Sequence, residues 1–170
     1  MTTVQSTADG SVIVRGADAE VVGREPTRVQ LLVDSSATRG ALSGIKVTLG
    51  KDADGARPHT HRGSSELFYV LDGGVQVLSG TDIVTAERGD LIVVPPNLPH
   101  AFGAAHGKGA ELLIVVTPGI DRFDYFRKLE RIAFGKDPPE SLLAVQDLFD
   151  TYFLQSAAWE AARAEIQRGG

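Results

Sequence analysis

Turn-forming residues cut the first two thirds of this chain into lengths too short for most helices. Most of its 19 glycines and 8 prolines fall there. Between them lie the runs SVIV, RVQLLV, GIKVTLG, ELFYVL, VQVLSG, DIVTA, LIVVPP and ELLIVVT. Each is rich in Val, Ile and Leu and bounded by turn residues, the pattern of short β-strands. In GIKVTLG, Ile45, Val47 and Leu49 alternate with Lys46 and Thr48, which predicts a strand with one buried face. Many short strands at close spacing predict a mainly β fold, an antiparallel sandwich or barrel. With 170 residues, of which 42% are hydrophobic and 23% charged, the chain is long enough and apolar enough for one packed domain.

The pattern changes after VVTPG. Phe123, Phe126, Leu129 and Ile132 recur at helical spacing. Asp137, Pro138 and Glu140 form a helix-start signature ahead of a second apolar stretch. The segment SAAWEAARAEIQR is helical by propensity. The expected organisation is a β-barrel domain with an N-terminal arm over residues 1–118, followed by a helical extension over residues 119–170. Packing on the barrel or on a second subunit is the simplest use of the extension's apolar residues; a lid over the barrel mouth is the sharper alternative.

A formal net charge of −5 argues against nucleic acid as the main partner. There is no cysteine, so disulfides and thiolate metal sites are excluded. The polar N-terminus shows no signal peptide, and no apolar run reaches the length of a membrane span, so a soluble cytoplasmic protein with no membrane partner is expected.

Two of the 4 histidines, His59 and His61, stand one residue apart in RPHTHRGSSELFYVLDGG. On a strand, positions i and i+2 share a face, roughly 6–7 Å apart along the chain. Two such imidazoles can lean onto one ion, although a His-x-His pair alone reads more readily as two partly exposed strand residues. Glu66 lies at odd parity from His61, so the RGSS turn between them must reset the register if the acid is to face the same way. His100 follows VVPPNLP and would share a face with Phe102. Three imidazoles and a carboxylate would form an open, catalytic type of site. His106, in a Gly-rich loop, is assigned no role.

The joint spacing resembles the two motifs of the cupin superfamily. His59-x-His61, four residues, Glu66, six residues and Gly73 match the first motif. Gly89, five residues, Pro95-x-Asn97, two residues and His100 match the second. Ala53, Asn97 and Ala104 depart from the pattern, but none stands at a ligand position. The resemblance implies a jelly-roll β-barrel enclosing one divalent transition metal ion (Mn, Fe, Co, Ni or Zn) on His59, His61, Glu66 and His100. It also implies a homodimer, as such barrels often pair through edge strands. The run SSELFYVLDGGVQVLSG and the tail are similar to single-domain cupins grouped with quercetin dioxygenases. That likeness implies a metal-dependent dioxygenase or related oxidoreductase acting on a small aromatic or enolisable substrate, with Glu66 as ligand or catalytic base. Phe68, Phe102, Ile45 and Val47 would line the substrate pocket, ordinary barrel core being the alternative. The same ligands would serve a non-redox isomerase or cyclase, or a non-catalytic binder of small molecules.

Overall fold

The computed structural model describes residues 1–6 and 10–169. Two short strands, β1 (Val4–Ser6) and β2 (Val12–Val14), form a separate hairpin. The barrel comprises β3 (Val21–Arg24), β4 (Thr27–Val33), β5 (Ser43–Leu49), β6 (His59–Thr60), β7 (Ser65–Ser79), β8 (Asp82–Glu87), β9 (Leu91–Val94), β10 (His100–Ala104), β11 (Ala110–Thr117) and β12 (Tyr152–Phe153). These ten strands make one curled antiparallel sheet, with the path β12-β6-β10-β7-β11-β5-β4-β3 and with β8 and β9 added to β7. The fold is the mainly β cupin barrel with C-terminal helices.

ELFYVL and VQVLSG are not two strands. They form one 15-residue strand, β7, which bends at Gly73-Gly74 and belongs to both walls of the barrel. Its first half pairs with β11 and β9, its second half with β10 and β8. Gly73 has φ +71°, and a Cβ there would lie 2.0 Å from the Gly109 carbonyl oxygen, so the crossover demands glycine. A turn signal in sequence thus marks a strand bend in the fold.

The inward faces follow the period of two. Leu31 lies opposite Ile45, Ile45 opposite Ile114, and Ile114 opposite Phe68, all buried. In β7 the buried alternation runs Glu66, Phe68, Val70. A carboxylate therefore occupies the first core-facing position of an otherwise apolar strand.

The C-terminal segment carries α1 (Phe123–Ala133), a 3-10 helix (Pro139–Val145), β12 and α2 (Ala157–Arg168). The helix expected to start at Asp137 is only a 3-10 turn, because the Asp137 carboxylate is taken by Arg131 at 2.8 and 2.9 Å instead of capping. The N-terminus of α1 is capped from the barrel: Asp34 accepts the Arg122 and Phe123 backbone N–H groups at 2.7 and 3.2 Å. Arg127 forks onto Glu20 at 2.7 and 3.0 Å, fastening the helix beside β3.

α2 is fastened by Arg163, which is 6% exposed. Its guanidinium donates to Asp54 Oδ1 at 2.8 Å, to the Ala104 and Ala53 carbonyls at 2.7 and 3.1 Å, and to the Asp52 carbonyl at 2.9 Å. A Cβ at Gly103 would lie 2.8 Å from its Cζ, so that glycine makes room for it. Arg163→Met keeps the stem but leaves buried carbonyls without donors. An expected loss of about 2–4 kcal/mol should appear as a lower midpoint in urea unfolding; an unchanged midpoint would show that the latch contributes nothing net.

Candidate metal centre

β6 supplies His59, and the loop after it supplies His61. Antiparallel pairing of β10 with β6 sets His100 directly opposite His59. The opposite wall contributes Glu66 from the first half of β7, after the loop 61–64 has reset the register as the sequence requires. Ring centroids of His59, His61 and His100 lie 4.2–5.1 Å apart. One ligand atom from each histidine and from Glu66 lies within 4.8 Å of all the others, and all four residues are buried.

Hydrogen bonding decides which ring nitrogen faces the centre. Nδ1 of His59 meets the Arg57 carbonyl at 2.7 Å, that of His61 the Asp150 carbonyl at 2.5 Å, and that of His100 the Leu98 carbonyl at 2.9 Å. A carbonyl oxygen only accepts, so each Nδ1 carries the proton. In the neutral ring this leaves an Nε2 lone pair on each imidazole, the arrangement of metal-ligating histidines. Glu66 Oε2 lies 2.8 Å from His100 Nε2 and 3.2 Å from His61 Nε2. Acceptors cannot sit so close unless a positive charge, a proton or a metal ion, lies between them. Burial alone would raise the Glu66 carboxyl, but the contacts with His100 and His61 outweigh it and hold the group well below its ordinary value. Burial, reinforced by the charges of His100 and His61, pushes His59 well below the ordinary 6.5. The donor set, three imidazole nitrogens and one carboxylate without sulfur, fits a divalent first-row ion.

The C-terminal segment completes the centre, which the sequence pattern did not reveal. Besides holding His61 through its carbonyl, Asp150 accepts the Arg62 and Gly63 N–H groups at 2.8 and 2.9 Å. β12 pairs with β6, setting Phe153 opposite His59. Arg122 places Nη1 at 3.8 Å from Glu66 Oε1. None of these residues belongs to a motif: Asp150 and Phe153 fall between the segments read as helices, and Arg122 just before the first of them.

Beside the centre opens a cavity of about 820 Å³, walled by barrel strands, α1 and the C-terminal segment. Ile45, Val47 and Phe102 line it together with His59 and Glu66. Phe68 does not reach it: fully buried, it packs edge-on against His100 and Phe102 at 6.3 and 5.4 Å between centroids. Phe126, Leu129 and Ile132 of α1 face the cavity, so its apolar stripe walls this space. His106 is exposed, 3.9 Å from Asp52, and belongs neither to the four-residue cluster nor to the lining of the cavity.

This geometry defines a cupin-fold protein with a candidate metal centre, and comparison with known proteins agrees on the fold. Residues 45–116 match the family model described as the cupin domain. No curated protein sequence matches the chain. Among solved structures, an RmlC-like cupin from Shewanella frigidimarina is similar at TM-score 0.56 and 22% identity, over 73% of this chain and 97% of that one. The Streptomyces nucleoside dehydratase Pac13 is similar at TM-score 0.51 and 20% identity, over 65% and 84%. The polyketide cyclase RemF from Streptomyces resistomycificus is similar at TM-score 0.52 and 19% identity, over 62% and 78%. Among the described residues, no helix is long and apolar enough to cross a membrane.

Protein purified without chelators is expected to carry about one transition metal ion per chain, and His61→Ala to lose most of it, as elemental analysis will show. Asp150→Ala keeps the backbone carbonyl on His61 but removes the carboxylate that fixes the Arg62 and Gly63 N–H groups, so metal affinity should fall by no more than about tenfold, the low end of the scale for outer support. The metal-stripped protein should also lose thermal stability in acid, in two windows. His59 is held neutral, so the unfolded chain binds the extra proton and stability falls as pH drops below 6.5. Glu66 is held ionised, so a second loss begins below the ordinary 4.5 and is complete below its lowered folded value. His59→Gln should remove the first window and spare the second.

Proposed function

We propose that the protein is a metal-dependent enzyme that moves protons on a small enolisable or aromatic substrate, by isomerisation, elimination or cyclisation. The observation that carries this reading is a base and an acid opening on one cavity. Glu66 lies at its floor as a carboxylate, held ionised against burial. Tyr125, 7% exposed, also lines the cavity. Burial raises its hydroxyl above 10.0, against the pull of Arg122, so it remains a proton donor at neutral pH. Among the described residues the hydroxyl makes no hydrogen bond, which leaves it free for a ligand.

A divalent ion on His59, His61, Glu66 and His100 would supply Lewis acidity to a substrate oxygen, lowering the pKa of the neighbouring C–H or O–H. The apolar wall of Val47, Phe102 and Phe126 would seat a flat ring and exclude water. Glu66 would take the proton through the carboxylate oxygen not shared between the histidines, and Tyr125 would return one. The dioxygenase reading uses the same ligands, but it gives the protonated Tyr125 no part. The likeness to a nucleoside dehydratase and a polyketide cyclase also fits non-redox chemistry.

The experiment is turnover of a panel of β-diketones, hydroxyketones and flavonols in D₂O, with dissolved oxygen recorded. Deuterium should enter the carbon next to the carbonyl without oxygen uptake. Oxygen consumed one-for-one with substrate would overturn the proposal in favour of a dioxygenase. A panel that stabilises the protein thermally yet never turns over would point to a binder. Glu66→Gln should cut turnover by about 100-fold or more, the scale of a general base, while keeping most of the metal. If activity falls only in proportion to metal, Glu66 is a ligand alone.

A further inference from the structure

Arg122 is 6% exposed, yet most of its hydrogen-bonding capacity is unused. A guanidinium offers five N–H donors and cannot lose its charge. Among the described residues it makes one side-chain hydrogen bond, from Nη2 to Thr151 Oγ1 at 3.3 Å. Nε is buried with no partner. Nη1 faces Glu66 Oε1 at 3.8 Å, beyond hydrogen-bond reach, while the other oxygen of that carboxylate is engaged by His61 and His100. The head is steadied by the rings of Tyr125 and Phe126, at 5.2 and 5.5 Å from their centroids.

Charge makes the vacancy directional. With a divalent cation at the centre, that ion and Arg122 together bring three positive charges against the single negative charge of Glu66, in a buried space where unbalanced charge is costly. Arg57 lines the same cavity, is exposed, and has no ion-pair partner among the described residues. Of the acids on the wall, Asp54 is taken by Arg163, and Glu140 and Glu160 are exposed.

We propose that Arg122 is an anion clamp, and that the substrate therefore carries a carboxylate or comparable oxyanion beside the part that meets the metal centre. The inference rests on reading the cavity as the substrate site. Arg57 attracts the anion at the mouth and Arg122 fixes it inside through the N–H groups of Nη1, which make no hydrogen bond among the described residues. The ring or chain of the ligand then lies on the aromatic wall. Arg122 is a positioning residue for the centre and a binding residue for the ligand.

The test uses benzoate and its neutral isostere benzamide as probes. Binding is followed by the fluorescence of Trp159, the sole tryptophan, which lines the cavity. Metal-free and Zn²⁺-loaded protein are both titrated. Wild type should bind benzoate at least about tenfold more tightly than benzamide in both states, the scale of one charge-assisted hydrogen bond. Arg122→Met should abolish the preference. Arg122→Lys keeps the charge without the fork and should reduce it at least threefold, which decides the matter if the methionine variant does not fold. Equal affinity for the two probes in wild type would overturn the proposal. So would a preference that survives both substitutions, or one confined to Zn²⁺-loaded protein and indifferent to Arg122, since the metal alone would then be the anion site. Because the metal-free titration needs neither metal nor turnover, its result is separate from the outcome of the D₂O assay.

Discussion

A carboxylate inside a β-barrel is the constraint that organises this molecule. Glu66 occupies a position that the alternation of β7 reserves for the core. An isolated buried carboxylate would lose its charge; this one keeps it because two imidazoles and a guanidinium converge on it. Each of those groups needs its own support, and the supports come from distant parts of the chain. The histidine rings lean on carbonyls of residues 57, 98 and 150, and the arginine on Thr151.

The C-terminal segment therefore supports the candidate site structurally. α1 could have been a helix laid over a hydrophobic surface. Its N-terminus is instead pinned by Asp34, which fixes Arg122 at the turn where the helix begins. Its apolar stripe walls the cavity and needs no second barrier behind it. The apolar stripe expected to pack on the barrel also lines the cavity. β12 adds an edge to the wall that bears the histidines, so the segment joins the sheet as well as covering it.

The barrel was legible in the sequence because its signals are local. Runs of Val, Ile and Leu between turn residues give the main strands, and the motif spacing brings His59, His61, Glu66 and His100 together. The rest depends on long-range pairing. Gly73-Gly74 reads as a turn, yet strands on both sides of β7 turn it into a bend. β12 is two residues long and exists only because β6 is there to pair with it. The carbonyl of Asp150 carries no side-chain signature at all, although it sets the tautomer of His61. Arg122, just before α1, and Tyr125, within it, fall in a stretch whose period announces its apolar face and hides its polar groups.

The contact between His61 and Asp150 spans 89 positions in the chain. Closing so wide a loop is an entropic barrier that local contacts do not lower. During synthesis the barrel strands can pair while residue 150 is still unmade. For that interval the imidazole of His61 is free to turn, its tautomer unset, and the wall of β6 is a bare sheet edge. A nascent chain would thus meet metal ions with a loose, partial set of ligands before it owns a finished site. The candidate centre can take its final form only once residue 150 has been made.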